Sequence, residues 1–287
     1  MNDDDTAAFE LARPRLFGIA YRMLGSAAEA EDVVQDVWLK WHATDRTAVR
    51  NSLAFLTTVT TRSAINVTQS ARVRRESYIG PWLPEPIDTR ADPAMGADSD
   101  AAVELAVLVV LERLPARERA AYVLREAFDY PYGQIADIVE TTETNARQLV
   151  TRARRHLADA RPTPVDSDRH HRLLDAFLAA AKEGDLAALE KILAQDVVSL
   201  SDGGGKVKAA ARIPVAGRTR VAAFVAAFSS HFWTGATTTF AEVNGRAAVL
   251  ITRDAALSTL LTIDASEDGI GTVLWVMNPE KLNALSR

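Results

Sequence analysis

Residues 76–100 divide this chain before any other feature is weighed. They hold six acidic side chains and one basic, and Pro81, Pro84, Pro86 and Pro93 run through them. Proline fixes φ and removes a backbone donor, so neither a long helix nor a central strand can cross such a stretch. It reads as an extended acidic linker between folded parts. It also carries the charge imbalance of the whole chain. The full 287 residues sum to −5, and 76–100 alone give −5. Residues 1–75 (+1), 101–161 (0) and 162–287 (−1) are close to neutral. A chain of this length has room for two or three domains.

Residues 1–75 read as helical throughout. Phe9, Leu16, Ile19, Ala20 and Met23 share one face of 6–24, Gly25 is a stop, and Pro14 marks a kink or a late first turn. Ser26 with Glu29 three residues on forms a capping box for the next helix. That helix buries Val33, Val34, Val37, Trp38 and Trp41 and leaves Glu29, Glu31, Asp32, Gln35 and Asp36 as an acidic face. A third helix starts at Ser52 and runs through Phe55, Leu56, Val59 and Ile65 to Arg72, Arg74 and Arg75. The loop 43–51 between them is polar.

In residues 101–161, two helices flank Leu114-Pro115-Ala116, and a turn at Phe128–Tyr132 leads into a short helix with Ile135, Ala136, Ile138 and Val139 inward. After Thr141-Thr142-Glu143 a longer helix buries Ala146, Leu149, Val150, Ala153 and Leu157. It exposes Arg147, Gln148, Thr151, Arg152 and Arg155. Two short helices joined by a tight turn, the second polar and basic on its free side, make a helix-turn-helix. A helix fits the major groove, hydrogen-bonding side chains read base edges there, and Arg meets the flanking phosphates. Basic residues at a helix C-terminus also complement the macrodipole, so the Arg clusters alone do not decide between DNA contact and helix stabilisation.

Several classes are excluded by composition. With no cysteine, a disulfide framework, thiol catalysis and thiolate metal sites are ruled out. No apolar run approaches the ~20 residues of a membrane span, and Met1-Asn2-Asp3-Asp4-Asp5 is the reverse of a signal-peptide start. A soluble, cytoplasmic protein is expected.

Together the first two blocks resemble extracytoplasmic-function (ECF) sigma factors of bacterial RNA polymerase. The resemblance covers residues 6–161. It rests on Ala30–Trp38 (AEDVVQDVW), Leu114–Arg119 (LPARER), Tyr132–Ala136 (YGQIA) and Arg152–Arg155 (RARR). The Arg common in the family at the position of Leu149 is absent, which implies a different −35 sequence.

Residues 168–287 go beyond a minimal ECF factor. Two amphipathic helices lead to Asp196–Leu200 and the tight turn Asp202–Lys206 (DGGGK). A helix follows over 218–232, and β-rich segments lie near 236–243, 246–252, 256–263 and 269–277. Helices followed by a curved antiparallel sheet read as an α+β cone, which resembles the SnoaL-like branch of the NTF2-like superfamily. Trp82-Leu83-Pro84-Glu85-Pro86 in the linker, Asp202-Gly203-Gly204-Gly205-Lys206 and Asn278-Pro279-Glu280-Lys281-Leu282 narrow the resemblance to the ECF41 (SigJ-like) group, whose last motif has Asp where Glu280 stands.

The fold expected is thus multidomain: an all-α sigma-70 region 2 bundle at 1–75, the linker 76–100, an all-α region 4 helix-turn-helix at 101–161, a short linker 162–167 and an α+β NTF2-like cone at 168–287. The resemblance implies that Asp32, Gln35, Asp36 and Trp38 dock on the β′ clamp helices of core RNA polymerase, with the β flap as a further contact. It implies that Asn51, Arg62, Asn66 and Arg72 take the opened −10 element, where flipped bases are held by stacking and polar pockets. Asn145, Arg147, Gln148 and Thr151 would read the −35 duplex, with Arg152, Arg154 and Arg155 on phosphate. The WLPEP, DGGGK and NPEKL residues would pack together so that the fused domain regulates the sigma domains without a separate anti-sigma factor. No membrane contact, catalysis, cofactor or metal is expected; His170 and His171 open a helix without a third ligand. Two other readings stay open. One is an NTF2-like enzyme or ligand sensor tethered to DNA, with Asp202, His231 and Trp233 in a pocket. The other is a two-domain repressor, which leaves the acidic, Trp-bearing helix without a purpose.

Overall fold

The computed structural model describes residues 3–88, 104–161 and 163–285. Their contacts divide them into two compact units. The first holds the described residues up to Glu76 together with Val107–Ala160. The second holds Ser77–Asp88, Glu104–Ala106 and the described residues from Arg161 on.

In the first unit, α1 (Asp3–Leu24) packs against both α2 (Ala27–Ala43) and α3 (Ser52–Glu76). The helix runs through Pro14. Gly25, at φ 65°, ends it, and Ser26 Oγ accepts the Glu29 N–H at 3.2 Å to start α2. Phe9, Leu16, Ile19 and Met23 on α1, Val33, Val37 and Trp41 on α2, and Leu56 on α3 are buried. Then follow α4 (Leu105–Leu111), which belongs to this unit from Val107 on, α5 (Ala116–Glu126), α6 (Tyr132–Val139) and α7 (Glu143–Ala160). Glu140, in the left-handed region at φ 58°, turns the chain between α6 and α7. Ile135, Ile138, Val139, Ala146, Val150 and Ala153 close the helix-turn-helix core.

Buried polar contacts tie these two groups of helices together inside the unit. Arg119, 2% exposed, donates to Met23 O at 2.5 Å and pairs with Glu112 at 3.1 Å. Arg75 donates to Leu24 O at 2.6 Å and pairs with the same Glu112. The Thr57 and Tyr130 hydroxyls meet at 2.9 Å. Burial lowers Arg22 and Arg119 to about 10, so both remain cationic at neutral pH.

The second unit is α+β. Helices α8 (Ser167–Glu183) and α9 (Leu186–Ile192) precede β1 (Leu193–Asp202) and β2 (Val215–Ala216). Next come α10 (Arg218–Ala227), α11 (Ser229–Phe232), β3 (Ala236–Val243), β4 (Arg246–Arg253), β5 (Ala256–Ser266), β6 (Gly269–Val276) and α12 (Pro279–Leu282). The six strands lie in the order β2-β1-β6-β5-β4-β3. Leu174, Phe177 and Leu178 of α8, Val221 and Val225 of α10 and Val249, Leu261, Val273 and Trp275 of the sheet share one core.

The sheet is mixed, where an antiparallel one was expected. Strands β1 and β6 run parallel, from Val198↔Thr272 to Asp202↔Val276. Parallel neighbours need a long crossover, and here it is everything between them in sequence, including α10 and the β3–β5 meander. Alternation along each strand reveals the buried face but not the partner's direction. The consequence is functional. Parallel register ends β1 and β6 side by side, which brings Asp202 next to the chain leaving β6, and Met277 N donates to Asp202 O at 2.8 Å.

Candidate functional site

Asp202 is fully buried at the end of β1 and is surrounded by donors. Its Oδ1 accepts the Tyr78 hydroxyl at 2.5 Å and the Gly204 N–H at 3.1 Å. Its Oδ2 accepts the Leu83 N–H at 2.8 Å and Lys281 Nζ at 2.7 Å. Lys281 also donates to Leu83 O, and its ammonium lies 4.1 Å from the centroid of the Trp82 ring and 5.2 Å from that of Tyr78. Asn278 caps α12 by accepting the Glu280 N–H at 3.1 Å and donates from Nδ2 to the Tyr78 hydroxyl at 2.9 Å. Burial, then the Asp202 carboxylate, push the Tyr78 phenol above its usual range.

Glycine is required in this turn by its neighbours. Gly204 sits at φ +59°, and a Cβ there would lie 2.5 Å from Asn278 Nδ2; Gly205 sits at φ +72°, with Ile79 Cδ1 2.9 Å from such an atom. Leu83, Pro84 and Pro86 are buried. Ile87 exchanges hydrogen bonds with Asn244, 3.0 Å each way. Lys206 and Glu280 form an exposed pair at 2.5 Å. The three motifs therefore meet within the second unit, with Asp202 and Lys281 at the centre.

On α2, Asp32, Gln35 and Asp36 are exposed, and Trp38 is half-buried against Phe9 at 4.8 Å. On α3, Asn51 caps the helix by accepting the Ala54 N–H at 3.0 Å, and Asn66 is exposed. Arg62 donates to Ile138 O and Asp137 O at 3.0 and 2.8 Å and pairs with Glu140 at 3.1 Å, so it is engaged by the end of α6. The Arg72 side chain lies outside the described residues.

On α7, Arg147, Gln148, Thr151, Arg152, Arg154 and Arg155 are exposed, and Leu149 faces the core. Asn145, half-buried, donates to Thr141 Oγ1 at 2.7 Å. Arg147 lies 4.4 Å over the Tyr132 ring and pairs with Glu143 at 2.5 Å. The buried Glu118 holds Arg152 at 3.2 Å and His156 at 2.9 Å.

The sigma-70 region 2 family matches residues 8–77, and the sigma-70 region 4 family matches residues 104–157. The ECF RNA polymerase sigma factor SigJ of Mycobacterium tuberculosis (strain ATCC 25618 / H37Rv) is 34% identical over 292 residues, covering 96% of this chain and 93% of that one. The chain is an ECF RNA polymerase sigma factor. A probable ECF RNA polymerase sigma factor, SigI, of M. tuberculosis (strain CDC 1551 / Oshkosh) is 31% identical over 289 residues, 99% of this chain and 97% of its own. The crystal structure of M. tuberculosis SigJ superposes with a TM-score of 0.76 at 30% identity, covering 97% of this sigma factor and 98% of that chain.

As a sigma factor the chain serves transcription initiation, and its region 2 and region 4 segments bind core RNA polymerase and promoter DNA. Sequence reasoning missed Tyr78 and Asn244 in this sigma factor, because neither belongs to a motif or a periodic pattern. Leu39, one turn beyond Gln35 and Asp36 on α2, is 60% exposed.

Proposed function

We propose that this sigma factor regulates itself through the Asp202–Lys281 centre, with no separate anti-sigma factor. The observation that carries the proposal is the set of contacts from Asp202 to Tyr78 and Leu83, which fixes the first half of the linker on the C-terminal unit. Regions 2 and 4 address two separate promoter elements. A linker held at residues 78–87 is restricted in spanning them, and releasing it raises initiation. Asp32, Gln35, Asp36 and Trp38, joined by Leu39, dock on the β′ clamp helices, and region 4 on the β flap. Asn51, Arg62, Asn66 and Arg72 take the −10 strand; Asn145, Arg147, Gln148 and Thr151 read the −35 duplex, with Arg152, Arg154 and Arg155 on phosphate. Arg62 leaves its carbonyl partners on α6 to do so.

The C-terminal unit acts in this scheme as a regulator and not as an enzyme. An apolar cleft is lined by Ser201, Phe224, Phe228, Phe232, Trp233 and Trp275, but neither Asp202 nor His231 lines it. His231 is exposed on α11, and the Asp202 carboxylate is taken up by its four donors. An acid–base pair within hydrogen-bond reach of a bound substrate is what general catalysis needs.

Run-off transcription with core polymerase and three chains tests the proposal: full length, one lacking 278–287 and one lacking 168–287. The shorter deletion frees the linker and raises specific transcript. The longer one also strips the cover from Leu83, Pro84 and Pro86 and gives a different output. Identical transcription by all three would contradict self-regulation.

A further inference from the structure

Charge is segregated inside the C-terminal unit in a way that the sigma regions do not use and the Asp202 centre uses only at Lys206. Residues 203–241 contain Lys206, Lys208, Arg212, Arg218 and Arg220 and no Asp or Glu. The remainder of 162–287 holds eight cations against fourteen carboxylates. The five cations fall in a short span of sequence on either side of β2, the outermost strand of the sheet.

The local fold presents them outward. The Lys206 and Val207 N–H groups both donate to Gly203 O, at 2.9 and 3.2 Å, and Ala210 N donates to Val207 O at 3.3 Å. These turns put Val207 and Ala210 against the core and leave Lys206 and Lys208 exposed. Arg212 is exposed before β2. Arg218 and Arg220 occupy the first turn of α10, and Arg220 is exposed. Cations in a first turn oppose the helix dipole, so helix stability does not account for them. Lys206 is paired with Glu280, and Arg218 donates to Leu193 O at 2.8 Å. Among the described residues Lys208, Arg212 and Arg220 make no ion pair.

We propose that this edge of the C-terminal unit binds the phosphate backbone of duplex DNA, so that the fused domain adds sequence-independent affinity to the sigma regions. Lys208, Arg212 and Arg220, exposed on ordered segments without carboxylate partners among the described residues, are open to phosphates, and a polyanion presents several at once. Duplex DNA is the polyanion on which this chain works. Lys and Arg that meet phosphates release condensed counterions, which makes such contacts salt-dependent and indifferent to sequence. The proposal does not rest on the Asp202–Lys281 reading; either can fail alone.

The test uses the full-length chain and a fluorescent duplex of random sequence, with affinity measured against salt concentration. The variant is K208Q/R212Q/R220Q, in which all three side chains are exposed and outside the Asp202 centre. Each lost phosphate contact lowers the slope of log affinity against log salt by about 0.9, so the triple variant drops it by roughly 2 to 3. Between about 50 and 200 mM salt, the wild-type chain then loses about 40-fold more affinity than the variant. A control variant, R172Q/K191Q, removes exposed cations elsewhere in the unit and leaves the slope within about 0.5 of wild type. Unchanged affinity and slope in the triple variant would overturn the proposal. So would an equal drop in the control, which reduces the effect to net charge. Loss of polyglutamate binding with duplex binding intact would also overturn it, in favour of an acidic protein partner.

Discussion

Lys281 Nζ and Asp202 Oδ2 lie 2.7 Å apart, with Lys281 12% and Asp202 0% exposed. They are 79 residues apart in sequence, and the linker passes between their shared partners: Leu83 gives its N–H to the carboxylate and its carbonyl to the ammonium. A buried pair of this kind contributes little net stability over an apolar pair of the same shape. Removing one member, however, leaves the other charged and unmatched. The pair therefore sets geometry, and what it positions is residues 78–87.

Lys281→Met removes the ammonium and leaves Asp202 buried with neutral donors. Urea denaturation of the full-length chain should show the transition of the second unit destabilised by about 3–5 kcal/mol. Asp202→Asn/Lys281→Met, which leaves no uncompensated charge, should recover part of that loss.

Gly204→Ala places a methyl group 2.5 Å from Asn278 Nδ2 at a φ of +59°. The strain and the clash together cost about 1–3 kcal/mol. Hydrogen exchange at the Leu83 and Ile87 amides, which donate to Asp202 and Asn244, should accelerate, while amides inside α7 keep their wild-type rates.

The two sets of α7 residues should separate in promoter binding by reconstituted holoenzyme. Arg152→Gln weakens binding to all sequences alike and lowers the salt slope by about 1. Gln148→Ala instead relaxes preference at one −35 position, by about 1–3 kcal/mol of lost discrimination. Equal loss on all sequences in both variants would show that Gln148 does not read bases.

His170 is buried on α8, with Nε2 donating to Ile263 O at 3.0 Å. Burial, opposed by the hydrogen bond to Ile263 O and by Glu104 and Asp264 and reinforced by Arg246, holds the imidazole below its usual value of 6.5. The folded state therefore keeps His170 neutral where the unfolded chain already binds a proton. The contribution of this group to the stability of the second unit is complete above about pH 7 and is lost as pH falls through 6.5. Urea midpoints for His170→Gln should vary less between about pH 7.5 and 5.5 than those of the wild-type chain.

The helices were legible in the sequence because their cues are local. Ser26 and Glu29 announce the start of α2, Gly25 ends α1, and the 3.6-residue spacing of Ile135 to Ala153 draws the helix-turn-helix. The second unit was less legible. Strand alternation marked β3 to β6, but nothing local states that β6 pairs parallel with β1, and that pairing is what sets Asp202 beside Asn278. The linker shows the same limit from the other side. Its prolines and acidic residues describe a solvated spacer, yet Leu83, Pro84 and Pro86 are buried and Tyr78 reaches a carboxylate 124 residues away. Arg62 had the composition of a phosphate contact. The structure has it on the carbonyls of Asp137 and Ile138, a partner no spacing rule names.

Transcript yield from core polymerase reconstituted with the full-length chain, compared with Asp202→Asn at equal concentration, tests the central claim most directly. Asparagine keeps the size of the side chain but loses the charge that holds Lys281 and one of the acceptors for Tyr78 and Leu83. The account predicts that specific initiation rises several-fold for Asp202→Asn while its affinity for core polymerase is unchanged. Equal transcript from both chains, with the Leu83 amide shown by hydrogen exchange to be released, would contradict it.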